Sequence, residues 1–399
     1  MNTTTMSKQD LIDFENGIAD KFDNGEISYL VHLAGGNEDQ LIEIFKEINE
    51  GDYVFSTHRN HYHYLLSGGS PADLEHKILN GRSMYVFNRK LNFFSSSIVA
   101  ASPCIAAGVA WALKMKGSKN KVWCFNGDAA EDEGHFYEAV RFVDGWDLPC
   151  TFIIEDNDRN VNATKKERRG TDKNFPWPSC VRKYHYVCPY PQGGNGRNKW
   201  IEFKKPAVIE NPPQRQSSDI PTNIVPEKNI KYFEAVKESM EKLAKDKNTI
   251  FVGYNVRHGS AYNSLKEIPL EQRLETPCAE NLMAGLSIGM SFEGFRPVLF
   301  YERHEFVYNA IDSIVNIMDV LETISDGEFT APVIIKAVAG SVKPFYAGLT
   351  HTGDLSNIFR TLVHFPVYSP KTAQEVSCAY ELAKFSKTPV MICEKKEFY

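Results

Sequence analysis

The sequence predicts an α/β protein made of two parallel-sheet domains with helices on both faces, and three observations carry that prediction. From Lys121 the chain reads VWCFNGD, then EGHFYEAVRFVDGW, then CTFIIED, which is an apolar strand, an amphipathic helix and a second apolar strand. Strands that are apolar throughout belong to sheets covered on both faces, and a strand–helix–strand unit of this kind is a right-handed parallel crossover. The same alternation resumes near residue 228 and runs to the end of the chain. Between the two lie a charge run, KKERRG, and the loop-forming stretches FPWPSC, PYPQGGNGRN and ENPPQRQSSDIP. These divide the chain into a first domain over 1–200 with a helical amino-terminal part, a linker over 201–227, and a second domain over 228–399.

Taken in order, residues 7–50 interleave polar and apolar positions at helical spacing, with breaks near 24 and 36. A helix is expected over Pro71–Asn80, with Ser70 as its N-cap and Pro71 in its first position. Leu91 to Leu113 carries no charge and is long enough to span a bilayer, but Asn92, Ser95, Ser96, Ser97, Pro103 and Gly108 suit a buried helix better. The crossover helix sets Phe136, Ala139, Val140 and Val143 on one face. Residues 163–227 read as irregular connection. Helices over 229–246, 280–293, 305–323, 354–363 and 372–386 alternate with the strands TIFVGYNV, RPVLFYE, APVIIKAVAG, Pro366–Tyr368 and PVMICE.

Composition narrows the function. The 399 residues are 42% hydrophobic and 24% charged, enough for large cores, and the net charge is −6. A mildly acidic chain lacks the basic face of a nucleic-acid or anionic-membrane binder. The eight cysteines include no CxxC pair, and the amino terminus has no basic region followed by an apolar run, so a cytoplasmic protein without zinc or disulfides is expected. No GxGxxG or P-loop follows a strand, which argues against nucleotide chemistry.

Ligands of open parallel sheets bind beyond the carboxyl ends of the strands. Asp128 ends one strand and Asn157 ends the strand after the crossover helix, so both oxygens fall on one edge. Hard oxygens there suit Mg²⁺ carrying a diphosphate, although Asp and Asn also simply make turns after strands. Gly127-Asp128, with the run to Glu155-Asp156-Asn157, resembles the thiamine-diphosphate motif that starts Gly-Asp-Gly and ends Asn-Asn. The flanks GRSMYV, IVAASPCIAAGVAWAL and DGWDLPCTFIIEDN resemble the α subunit of the 2-oxo acid dehydrogenase first components. The resemblance implies thiamine diphosphate with Gly127 and Ala129 beside it, and Mg²⁺ on Asp128, Asn157 and the carbonyl of Arg159. Two positions depart from the motif: Ala129 stands in place of Gly, and Asp156 in place of the first Asn. The Cβ of Ala129 crowds the diphosphate approach slightly.

The second domain adds a further likeness. LETPCAENLMAGLSIGMSFEGFRPVLFYERHEFVYNAIDSIVN is similar to the β subunit of the same enzymes and, more distantly, to the middle domain of transketolases. This implies that Glu280 protonates the aminopyrimidine of the cofactor, a role open to a carboxyl that keeps its proton in an apolar pocket. Phe306 matches the aromatic residue packed on the pyrimidine, and Arg59 and His61 match an Arg-x-His element at the diphosphate and reaction centre. His63 either joins them or faces away. His351, in GLTHTGD, matches an active-site histidine able to steady a donor oxygen or shuttle a proton. Arg303 and His304 are not family-like; Arg303 either recognises a carboxylate, phosphate or polyol of the substrate or pairs with Glu302 or Glu305.

The resemblance covers about 40–165 and 228–399. It implies a Mg²⁺- and thiamine-diphosphate-dependent enzyme that cleaves the bond next to the carbonyl of a small donor. Decarboxylation of a 2-oxo acid is the leading expectation, with the enamine passed to an acceptor; ketol transfer between sugars and a non-catalytic cofactor-binding protein are the alternatives. Sites at a homodimer interface are expected. Because PVMICEKKEFY stops where β subunits continue into a third domain, either a compact dimer or a separate partner chain is expected.

Overall fold

The computed structural model describes residues 6–203, 206–208, 211–260, 262–343 and 346–399, which fall into two compact units, Met1–Asn211 and Pro212–Tyr399.

The first unit opens with helices α1 (Lys8–Asp23) and α2 (Glu38–Phe45). Ser7 starts α1 with a reciprocal capping box to Asp10, satisfying two first-turn donors. Strand β1 (Tyr53–Ser56) leads to α3 (His61–Leu66) and α4 (Pro71–Leu79). The Ser70 hydroxyl accepts from the Asp73 N–H and Pro71 fills the first turn, as the sequence predicts. Strands β2 (Phe87–Asn88) and β3 (Phe93–Ser95) follow, then α5 (Ala101–Met115), β4 (Val122–Gly127), α6 (Gly134–Gly145) and β5 (Cys150–Asp156). Last come the short helix α7 (Lys165–Arg169) and β6 (Val181–His185).

The sheet order is β2-β3-β1-β4-β5-β6, and every pairing except β2–β3 is parallel. The uncharged run 91–113 is therefore a buried strand, a bend and a helix rather than one helix. Its alanines and Gly108 let α5 pack closely, with Ala101 to Leu113 all buried. β6 is a correction to the irregular connection expected over 163–227. Its VRKYH residues are mostly half-exposed at the sheet edge, so no apolar run marks them. The core gathers Phe22, Tyr62, Phe93, Trp123, Phe125 and Ile153, each worth roughly 1.5–3 kcal/mol when fully buried.

The second unit runs α8 (Tyr232–Ala244), β7 (Thr249–Gly253), β8 (Arg273–Glu275), α9 (Glu280–Phe292) and β9 (Arg296–Tyr301). It continues through α10 (Leu321–Ile324), β10 (Ile334–Ala339), α11 (Ser356–Leu362), β11 (Val367–Tyr368), α12 (Ala373–Phe385) and β12 (Val390–Lys395). Its sheet is parallel with order β11-β12-β10-β9-β7-β8. The single helix expected over 305–323 is instead a 3₁₀ turn at His304–Ala310, a π-helical stretch at Asp312–Met318 and α10. One apolar stripe serves all three helix types, so periodicity does not separate them. A fully buried Lys336–Glu394 pair at 3.2 Å crosses β10 and β12, and the Tyr380 hydroxyl donates to the same carboxylate. Among the described residues no helix is long and apolar enough to cross a membrane.

Candidate active-site edges

In unit 1 the register Gly127↔Glu155 puts the ends of β4 and β5 side by side, so Asp128 and Asn157 leave adjacent strands on the same edge. A small cleft opens there, lined by Ser56, His58, Ser96, Ser102, Gly127 and Ala129 among others. The amino end of α5 reaches it without a side-chain cap, because Ala100 takes a left-handed turn (φ 57°) and offers no side-chain oxygen. Uncapped first-turn N–H groups and the positive end of the dipole favour an anion. A Cβ added at Gly127 would meet open space, whereas Ala129 already places one on the cleft wall.

The segment Thr57–Asn60 turns Arg59 along this edge. Its Nη2 donates to Gln192 at 2.7 Å and its Nη1 to His58 Nε2 at 3.1 Å, while its Nε is buried with no hydrogen-bond partner among the described residues. Arg59 does not itself line the cleft, but it follows Thr57 and His58, which do, and an orphaned guanidinium N–H is a donor of the kind a diphosphate takes. Burial and the Arg59 charge hold His58 well below the ordinary imidazole range, so it stays neutral. The sequence reading passed over His58; its only signal was adjacency to Arg59 at the end of a strand.

His61 and His63 lie inside the unit. His61 is fully buried, with Nδ1 3.0 Å from Glu15 and Nε2 3.0 Å from Ser83. Glu15, on α1, also accepts the Ala34 N–H at 2.7 Å. Both ring nitrogens being engaged, His61 props the Arg59 turn and presents nothing to the cleft. His63 joins Ser56 at 2.7 Å to Glu155 at 3.2 Å, and Glu155 also accepts from Asn37 and Tyr184. Of that chain only Ser56 borders the cleft, so the substrate contact considered for His63 gives way to an internal relay.

The expected metal ligands are hard oxygens on neighbouring strand ends, a donor set that suits Mg²⁺. Asp128 is 1% exposed; burial pushes its carboxyl up, and Arg168, 2.5 Å away, pulls against that shift. The guanidinium thus already gives Asp128 a cationic partner. Asn157 is half-buried and accepts the Arg159 N–H at 3.0 Å, and Arg159 itself is exposed. Burial opposes ionisation of Asp156 too, but Lys165, the Asp158 N–H and Lys183 together hold it below the usual carboxylate range. Among the described residues no group of three or more His, Cys, Asp or Glu side chains is arranged to hold a metal on its own.

In unit 2, β7 and β9 deliver Tyr254 and Glu302-Arg303 to the carboxyl edge, and α9 begins there with Glu280. Glu280 is half-buried; its Oε2 accepts from Asn309 at 3.3 Å and its carbonyl from the Tyr301 hydroxyl at 3.1 Å. The buried Tyr254 hydroxyl meets no partner in good hydrogen-bond geometry among the described residues, Glu280 being the side chain it faces, and burial and Glu280 push its ionisation far up. Phe306 packs between Tyr254 (6.3 Å) and the edge of His351 (5.4 Å, 88°), with part of its ring open to solvent. His351 is also half-buried and bonds Thr350 through Nδ1 at 2.7 Å. Glu280, Phe306 and His351 therefore share one edge, as a carboxyl, an aromatic face and an imidazole around the Tyr254 hydroxyl.

Arg303 and His304 part company. Arg303 Nη1 donates to the Tyr262 hydroxyl at 2.6 Å, and its guanidinium lies 5.8 Å over that ring. His304 is fully buried, accepts the Leu355 N–H at 3.1 Å and stacks on Phe359; burial pushes it down to about 4. It is a neutral internal prop, which corrects the substrate contact expected of it.

Each edge lies at the carboxyl ends of a parallel sheet, and the chain has a transketolase-like fold. Over 98% of its length the chain superposes on the transketolase of Campylobacter jejuni with a TM-score of 0.70 and 14% identity, covering 78% of that chain. The Dehydrogenase E1 component family matches residues 6–175. Among curated proteins, the α subunit of acetoin:2,6-dichlorophenolindophenol oxidoreductase of Cupriavidus necator is 31% identical over 155 residues, 36% of this chain and 46% of that one. The pyruvate dehydrogenase E1 component subunit α of Rickettsia typhi is 30% identical over 163 residues, 38% of this chain and 49% of that one. The chain thus spans about half the length of the curated relatives it matches.

Proposed function

We propose that the chain is a thiamine-diphosphate- and Mg²⁺-dependent enzyme that cleaves the bond next to a donor carbonyl, decarboxylating a 2-oxo acid and passing the remaining fragment to an acceptor. The observation that carries this reading is the pair of strand-end sites. One edge offers an anion cleft with adjacent hard oxygens, and the other offers a carboxyl, an aromatic face and an imidazole. The E1 family match over the first unit supports it, as do relatives named for pyruvate and acetoin chemistry. Their names also say subunit α, which supports an assembly of at least two chains, either copies of this one or this one with a partner.

Unit 1 would hold the diphosphate on the α5 amino end, the cleft hydroxyls and Arg59, with Gly127 and Ala129 alongside and the cation on Asp128, Asn157 and the Arg159 carbonyl. Unit 2 would hold the aminopyrimidine, stacked on Phe306 with Glu280 at its ring nitrogen. Bound there, thiamine diphosphate supplies a carbon nucleophile for attack on the donor carbonyl. Glu280 would be the group that hands a proton from its carboxyl to the ring nitrogen, a role typically worth about 10²–10⁴ in rate. Asn309 orients that carboxyl. His351 would steady the donor oxygen or move its proton. Arg303, a fork-shaped cation on the same edge, discriminates donors carrying an anionic group.

The test is the mass of the acid-quenched cofactor adduct, with CO₂ followed, after incubation with a panel of 2-oxo acids and ketose phosphates. An adduct with CO₂ release is the expected result. An adduct from a ketose without CO₂ would replace the reading with ketol transfer, and cofactor binding without any adduct would favour a non-catalytic protein.

A further inference from the structure

The carboxylate on which a divalent cation would rest is already neutralised from within the chain. Helix α7 lays three cations on the β4–β5 edge. Arg168 reaches the Asp128 carboxylate at 2.5 Å, the Asp128 carbonyl at 3.2 Å and Asp132 at 2.8 Å. Arg169 reaches Asp132 at 2.5 Å, Glu131 at 3.1 Å and the Asp128 carbonyl at 2.9 Å. Lys165 pairs with Asp156 at 2.5 Å, and Lys183 of β6 reaches Glu131 at 2.6 Å and Asp156 at 3.4 Å. Four cations therefore face four carboxylates, and a dication entering this arrangement would meet no uncompensated negative charge. The pair that matters most is also the most buried, since Asp128 is 1% exposed and the Arg168 side chain 11%. A dication on the same carboxylate would face the guanidinium at contact distance, and the two would repel each other across a buried site.

The geometry points to Arg168 as a gate on the metal site: its guanidinium and a divalent cation compete for Asp128, so cation loading and release of α7 from the sheet edge are a single event. This rests on the reading of Asp128 as a metal ligand and goes beyond it, because it makes metal affinity a property of a residue 40 positions away. The helix is suited to the part. It has five residues, is capped at its start by Thr164 with Glu167, and ends at Gly170 in the left-handed region (φ 71°), so its hold on the sheet comes chiefly from the ion pairs. The same helix also explains why Asp156 can stand where the related motif has Asn. The added negative charge is answered by Lys165 on the same short helix.

The test is binding of Mn²⁺ alone to the intact chain, read from the paramagnetic resonance of the free ion. The comparison covers the wild type, Arg168→Gln, Arg168→Lys and Asp128→Asn. The gate requires Arg168→Gln to bind Mn²⁺ about tenfold tighter or more than the wild type, with Arg168→Lys between them and Asp128→Asn abolishing the site. Should Arg168→Gln fail to fold, tryptic cleavage within 165–169 of the wild type decides: acceleration by Mn²⁺ that is absent in Asp128→Asn supports the gate, and unchanged cleavage overturns it. Equal affinity of wild type and Arg168→Gln, with loss only in Asp128→Asn, overturns the gate and leaves the metal reading standing. No Mn²⁺ binding in any variant removes the metal from Asp128, and the gate with it.

Discussion

The two strand-end edges handle polar groups in opposite ways. In unit 1 most are buried and matched to one another, the orphaned Arg59 Nε apart: His61 has a partner on each ring nitrogen, Glu155 gathers three donors, and Asp128 sits under Arg168. In unit 2 Glu280, Phe306 and His351 are half-exposed, and the Tyr254 hydroxyl is left without a partner in good hydrogen-bond geometry among the described residues. A self-compensated edge has to be opened by its ligand, whereas an under-partnered edge is completed by one. Side chains that touch the reacting molecule should therefore come mainly from unit 2, and residues whose loss is felt as instability from unit 1.

The largest expected effect sharpens that contrast directly. Glu280→Gln should lower turnover by about two to four orders of magnitude while leaving the denaturation midpoint close to wild type, checked by CO₂ release beside a urea titration. A loss of stability comparable to the loss of rate would place Glu280 among the structural groups instead. Glu15→Ala should do the reverse. It strips the Ala34 N–H and His61 of a buried acceptor, at about 3–5 kcal/mol of stability, measurable by chemical unfolding; Glu15→Gln should recover much of it.

Acid should erode both units through a shared device. Burial lowers His304 in unit 2 and His32 in unit 1 to about 4, and each is held neutral. The unfolded chain, with an ordinary imidazole near 6.5, takes up the proton first as pH falls. The stability is thus fully present above about pH 6.5 and is lost toward pH 4, by about 3 kcal/mol for His304. His304→Asn should flatten the pH dependence of the unfolding midpoint over that window; an unchanged slope would show that the neutral ring contributes nothing. The smallest effect belongs to His351→Ala, which should move stability by less than about 0.5 kcal/mol while lowering turnover.

The sequence made the β4–α6–β5 crossover plain because its strands are apolar throughout, and with it the neighbouring positions of Asp128 and Asn157. The clustering of Glu280, Phe306 and His351 followed from resemblance rather than from spacing. What escaped was long-range. Arg168 meets Asp128 across 40 residues and His61 meets Glu15 across 46, with no local pattern announcing either contact. A charge run such as KKERRG suits a solvated loop or the border of an anion site, and nothing local says that it will lie on carboxylates. β6 was hidden because an edge strand needs few apolar residues, and His304 looked like a site residue only because it follows Arg303 on the edge.

The most direct test of the central claim is equilibrium titration of the intact chain with thiamine diphosphate and Mg²⁺, set beside the same titration with thiamine. The account requires saturable binding of the diphosphate form at least tenfold tighter than thiamine, because the diphosphate is the part that the unit 1 cleft would hold. Failure to bind thiamine diphosphate, or equal binding of both compounds, would contradict it.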